Sequence, residues 1–206
     1  MKATGGTVFK RHTSAFDPPW WYIISPPFTV EAKVDKLAAS DTLWTGTVEE
    51  IRASLREPPS LRFHSTRGQW IHEARQQLYS APSDSGVLEL VERLRQLSDE
   101  DPIRARDTLA GRRSDSGIPR IKGIGMKWAS HFLRDLGLSH DQLAILDSQV
   151  LGALRDLGVM NLPSKGLSDQ VYLDAEREFK AWAEENLREI PFDHLDLAIW
   201  ELFRSK

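Results

Sequence analysis

The chain contains no cysteine, which excludes disulfides and thiolate-bound metal centres. No apolar run reaches membrane-spanning length, and the first twenty residues, MKATGGTVFKRHTSAFDPPW, lack the unbroken apolar centre of a secretory signal. The default expectation is a cytoplasmic protein without membrane association. Strand signals are scarce, none being convincing after about residue 35, and no internal repeat is present. The six histidines (His12, His64, His72, His131, His140 and His194) follow no ligand spacing, so no catalytic metal is expected. An excess of basic charge is also missing: the net charge is −3 and the pI about 6.1.

That last absence weighs against a nucleic-acid partner only if charge is spread evenly, and it is not. From Pro102 to Lys127 the bases Arg104, Arg106, Arg112, Arg113, Arg120, Lys122 and Lys127 face only two acids, Asp107 and Asp115. From Asp169 to Glu201 acids dominate, the only opposing lysines and arginines being Arg177, Lys180 and Arg188. One basic face and one acidic face would suit contact with phosphates. Two solvated helix faces are the alternative.

What the sequence has in quantity is helical periodicity. With 206 residues, 40% of them hydrophobic and 28% charged, it can build a substantial core as one larger domain or two small lobes. Residues 1–58 form an irregular N-terminal segment. DPPWWYIISPPFTVEA carries four prolines, and Trp20, Trp21 and Tyr22 make either a packed anchor or a stacking surface. Thr47 with Glu50 has the form of a capping box and predicts a helix over 48–55, ended by Glu57-Pro58-Pro59. Residues 59–206 form a helical body. Apolar spacing predicts helices over 65–79, 87–97, 103–110, 126–136, 147–157 and 168–187, with a last one from Asp193 burying Leu195, Ala198, Ile199 and Phe203. GRRSDSGIPR reads as a mobile basic loop, and Gly137 and Gly158 as helix stops.

Chemistry concentrates between Arg120 and Leu157. Gly123-Ile124-Gly125 makes a tight turn between segments that both look helical, a helix-hairpin-helix over about 111–136. Its glycines allow close backbone approach, and the amides that open the second helix favour an anion. Such a hairpin grips a DNA backbone without reading sequence. Lys122 stands beside it, and Lys127 lies in the first turn of the following helix. The positive end of the helix dipole and burial both disfavour an ammonium there, and a neutral lysine is a nucleophile. Asp147, 147 − 127 = 20 residues on, opens the next helix. It can cap that helix, receive a proton, or do both.

The run K-G-I-G-M-K-W-A-S-H-F-L-R-D, followed by A-I-L-D, resembles the archaeal-type 8-oxoguanine DNA glycosylase/lyase family of the helix-hairpin-helix superfamily. The likeness is dense from Ile121 to Leu154 and looser to the C-terminus, with a weaker echo in LRFHSTRGQWIHEAR. The resemblance implies a mainly all-α, two-lobed glycosylase fold acting as a monomer on double-stranded DNA. It implies that Lys127 attacks C1′ of a flipped nucleotide as a Schiff-base nucleophile, with Asp147 as the catalytic carboxylate. It also implies that Gly123, Ile124, Gly125 and Lys122 meet DNA, that Trp200 and the terminal Lys206 meet the base, and that no cofactor is needed beyond a possible monovalent cation at the hairpin. Trp200 can equally be core, and Lys206 a frayed end. Gln149 departs from the histidine that relatives often carry two residues after the aspartate. The unfamiliar N-terminal half leaves the same chemistry on another modified base as an alternative, and a non-catalytic DNA-binding module that keeps the hairpin without turnover is a second.

Overall fold

The structure is a computed structural model that describes residues 41–57, 63–79, 86–115, 117–160 and 168–203. The Trp20–Tyr22 cluster, His12 and Lys206 lie outside the described residues. Among those described, the regular elements are all helical: α1 (Asp41–Thr45), α2 (Val48–Arg56), α3 (His64–Tyr79), α4 (Gly86–Glu100), α5 (Pro102–Leu109), α6 (Met126–Asp135), α7 (Ser148–Asp156), α8 (Asp169–Asn186) and α9 (Phe192–Phe203). None of these helices is long and apolar enough to cross a membrane.

The chain divides into two compact units that interleave along the sequence. One comprises residues up to Leu94 plus Ser114–Ile124; the other comprises Arg95–Arg113 and Gly125–Lys206. In the first unit α2 packs along α3. The capping box at the head of α2 is complete, with the Thr47 side chain accepting from the Glu50 amide and the Glu50 carboxylate accepting from the Thr47 amide. Ile51 and Leu55 from α2, and Ile71, Ala74 and Leu78 from α3, are fully or almost fully buried. Arg75 ties α3 to the α1–α2 link by donating to the carbonyls of Leu43 and Gly46. The short α1 has no counterpart among the elements expected from periodicity. Five residues span too little of a turn pattern to register.

The second unit carries a continuous core. Met126, Ala144, Leu146, Val150, Leu154, Tyr172, Phe179, Leu195 and Ile199 belong to it, drawn from α6 to α9 and the segment before α7. The predicted boundaries of α6, α7 and α8 hold to within a residue or two. Gly137 adopts φ 72° and returns its amide to Arg134, while the Leu138 amide closes on Leu133, as a glycine-terminated helix end requires. Two expected faces shift. Leu157 is about half exposed and Ala198 exposed, because the helix ends at Asp156 and α9 buries the stripe Phe192, Leu195, Asp196 and Ile199 instead.

Two charge assignments also change. Arg106, counted with the basic face, is fully buried; it pairs with Glu176 of α8 and with Asp107 at 3.1 Å. Glu176 and Asp196, counted with the acidic surface, are buried as well. Composition cannot distinguish a solvated charge from one consumed by a partner seventy residues away.

Candidate active site

The turn belongs to the first unit as far as Ile124. Gly123 has φ 91°, a region that side chains other than glycine's rarely occupy. A Cβ there would stand 2.6 Å from Cε3 of Trp70, so the α3 indole packs directly against the turn backbone. Lys122 reaches the carboxylate of Glu73, also on α3, at 2.9 Å, and this contact holds the Glu73 carboxyl below its ordinary value. The Ile124 amide closes the turn onto the Ile121 carbonyl. The residues immediately ahead of Gly123 are not helical. Pro119 disfavours helix at Ile118, and the helix that precedes the turn is α5, upstream, which packs against α6 within the second unit.

Gly125 begins the second unit's share and acts as the N-cap of α6, with extended backbone and no side-chain hydrogen bond to the first-turn amides. A Cβ built on Gly125 meets nothing within 4 Å. The two glycines therefore serve different ends. Gly123 permits a backbone shape and a close contact, whereas Gly125 leaves open space at the start of α6, where the helix dipole favours an oxyanion.

Lys127 follows at the second residue of α6. It is half-buried, its ammonium 4.6 Å from the centroid of the Trp128 ring. Burial pulls the lysine below its usual value and the nearby Asp147 carboxylate pulls it partly back. Both effects have the expected signs: desolvation penalises the cation, and an anion favours it. One helical turn on, His131 places Nδ1 2.9 Å from Asp135 and tilts against Trp128.

Asp147 caps α7. Its Oδ1 accepts from the amides of Gln149 and Val150, each at 2.8 Å, which anchors one oxygen of the carboxylate. The segment before it is buried and irregular, so its amides need partners other than a helix or ladder. The Ala144 amide donates to Glu176 at 3.0 Å, the Ile145 amide to Asp196, and the Leu146 amide to the Tyr172 hydroxyl at 3.2 Å. That hydroxyl in turn donates to the Ala144 carbonyl at 2.7 Å. Burial pushes Glu176 and Asp196 up, against Arg106 and Arg134 respectively, and pushes the Tyr172 phenol up strongly. Sequence reasoning placed Tyr172 in the core but did not see these polar partners. The available signal was the presence of ionisable residues on the apolar stripes of two helices.

The structure thus brings Lys127 and Asp147 within electrostatic reach in one unit. Trp200 is half-buried at the edge of the second unit's core. Gln149 is exposed in the first turn of α7. No group of three or more histidine and carboxylate side chains suited to a metal occurs among the described residues.

A helical protein in which a glycine turn leads into a helix carrying a desolvated lysine beside a carboxylate has the architecture of the helix-hairpin-helix glycosylases. Residues 28–187 match the family model described as 8-oxoguanine DNA glycosylase. The chain belongs to that family. It is 35% identical over 153 residues to the 8-oxoguanine DNA glycosylase/AP lyase of Saccharolobus solfataricus, a match covering 74% of this chain and 63% of that protein. It is 28% identical over 167 residues to the protein of the same name from Fusobacterium nucleatum, covering 81% and 68% of the two chains. Among solved structures it resembles the Methanocaldococcus jannaschii 8-oxoguanine glycosylase/lyase, crystallised with a 15mer DNA containing 8-oxoguanine. That likeness has a TM-score of 0.67 at 28% identity and covers 96% of this chain and 85% of that one. The chain spans less than two thirds of the length of the first of these relatives.

Proposed function

We propose that this protein is a bifunctional DNA glycosylase and AP lyase that removes 8-oxoguanine from double-stranded DNA. The observation that carries the reading is the half-buried Lys127, depressed by desolvation, with the Asp147 carboxylate acting on it. Family membership and the names of the relatives support the choice of substrate.

The Lys127 amine, once neutral, attacks C1′ of the extruded nucleotide; the C1′–N9 bond breaks and the base leaves as its nitrogen gains a proton. Asp147 offsets the positive charge that develops on the sugar and accepts the proton released by the attacking amine. The C1′–O4′ bond then breaks, O4′ leaving as the C4′ hydroxyl, and the opened sugar is held as an imine. The imine acidifies C2′, and loss of that proton expels the 3′ phosphate by β-elimination. Water then releases Lys127. Lys122, Gly123, Ile124 and Gly125 are assigned to DNA phosphates; Lys122 and Gly125 are exposed. Trp200 and Lys206 are assigned to the base. No cofactor takes part, and a monovalent cation at the turn carbonyls is an optional structural element.

Borohydride should trap a covalent complex with duplex DNA containing 8-oxoguanine, and Lys127→Gln should form none. Trapping on an abasic site should rise with pH through a midpoint below the ordinary lysine value, because a smaller fraction of a depressed amine is protonated at any given pH. A mutant that traps as well as the parent would remove Lys127 from the mechanism. Salt-sensitive binding without cleavage of any lesion would instead support a non-catalytic module.

A further inference from the structure

Asp196 sits almost wholly buried in α9 and divides its carboxylate between two elements. One oxygen accepts from the Ile145 amide, two residues before Asp147. The other accepts from Arg134 at 2.6 Å. Arg134 lies on α6 seven residues beyond Lys127, which is about two helical turns and the same side of the helix. The same carboxylate therefore contacts the helix that carries the amine and the stretch that carries the second acid. The Tyr172 hydroxyl holds the Ala144 carbonyl and the Leu146 amide of the same stretch.

Stability alone is a poor reason for this arrangement. Buried ion pairs are often no more stabilising than apolar residues of similar volume, since desolvation cancels most of the attraction. What a charged acceptor with two partners supplies is a defined distance between them.

We propose that Asp196 is a positioning residue that sets the separation of the Lys127 amine and the Asp147 carboxylate, with the Tyr172 hydroxyl holding the same stretch through two neighbouring backbone groups. The inference rests on the reading of Lys127 and Asp147 as the reacting pair. Neither Asp196 nor Tyr172 touches the reacting atoms. If the stretch drifts, Asp147 acts less on Lys127, and the amine loses an anionic influence that raises its basicity against burial.

The test uses the full chain and duplex DNA carrying a preformed abasic site, with borohydride trapping followed in a single turnover across pH. Asp196→Asn keeps an oxygen for the Ile145 amide but removes the charge that holds Arg134. Tyr172→Phe removes the bridging hydroxyl and leaves the ring. DNA affinity and circular dichroism are measured in parallel. Both variants should fold and bind DNA within about twofold of the parent, yet trap about tenfold or more slowly at neutral pH, as expected of a small misplacement. The acid limb of the rate profile should move to lower pH by about one unit, since a weakened anion no longer favours the ammonium form.

A parental midpoint in both variants would overturn the proposal, as would a rate loss that merely follows the folded fraction or the DNA affinity. If Asp196→Asn does not fold, Tyr172→Phe decides; if neither folds, the groups serve stability and the proposal fails. Trapping by Lys127→Gln would sink the catalytic reading itself. A parent that traps, a Lys127→Gln that does not, and two positioning variants with parental profiles would defeat this inference alone.

Discussion

Asp147 carries two tasks that substitution can separate. As the N-cap of α7 it accepts two amides, and asparagine does the same nearly as well. Asp147→Asn should therefore melt close to the parent, while Asp147→Ala should lose about 1 kcal/mol of stability in a denaturant titration. Both should lose most borohydride trapping, because neither leaves a charge to act on the amine. Equal trapping by Asp147→Asn and the parent would reduce the residue to a cap. Lys127 shows the converse tension. A half-buried amine whose affinity for protons falls on folding lowers stability at neutral pH, since the unfolded chain binds the proton more readily. Stability rises with pH through the window between the depressed folded value and the ordinary one. The nucleophile is an energetic burden on the fold that holds it.

Among the elements, the turn before α6 shows that glycines two residues apart need not be equivalent. Gly123→Ala would force a side chain into positive φ and against the Trp70 ring, so a loss of about 2 kcal/mol or more in a urea titration is expected. Gly125→Ala meets open space and an ordinary backbone angle, so its stability should be close to the parent's. Its methyl group would stand over the helix amides, and DNA affinity should fall. The reverse pattern would mean that the turn, not the helix start, receives the phosphate. From sequence the two glycines looked alike, because only the structure places an indole over one of them.

Legibility elsewhere follows the same division between local and distant causes. The capping box of α2, the aspartate that opens α7 and the glycine that ends α6 were readable because each depends on neighbours within five residues. Arg106 was misassigned to a basic face because its partner Glu176 is 176 − 106 = 70 residues away. Lys127 and Asp147 stood out through placement at two helix starts, whereas Asp196 and Tyr172 did not, being isolated polar groups on apolar stripes. Helix start signals survive in one dimension. Cross-element hydrogen bonds do not.

At the scale of the whole molecule, the segment Ser114–Ile124 belongs with residues before Leu94 although α5 precedes it and α6 follows it. The chain thus passes between the two units three times, after Leu94, after Arg113 and after Ile124. A fragment starting at Arg95 would retain Lys127, Asp147, Asp196 and Tyr172. It would also retain Ile118, Ile121 and Ile124, all buried in the full chain, while Trp70 and the rest of α3 would be gone. Such a fragment should bind 1-anilinonaphthalene-8-sulfonate more strongly than the parent and lose most DNA affinity; a well-folded, DNA-binding fragment would show that the interleaving is incidental. The consequence concerns inheritance as much as folding. Domains joined by one link can be exchanged by a single recombination event, but an interleaved pair survives only if all the crossings are kept. The half that carries the amine and the half that supports the turn are thereby bound to a common lineage, each free to vary only within what the other tolerates.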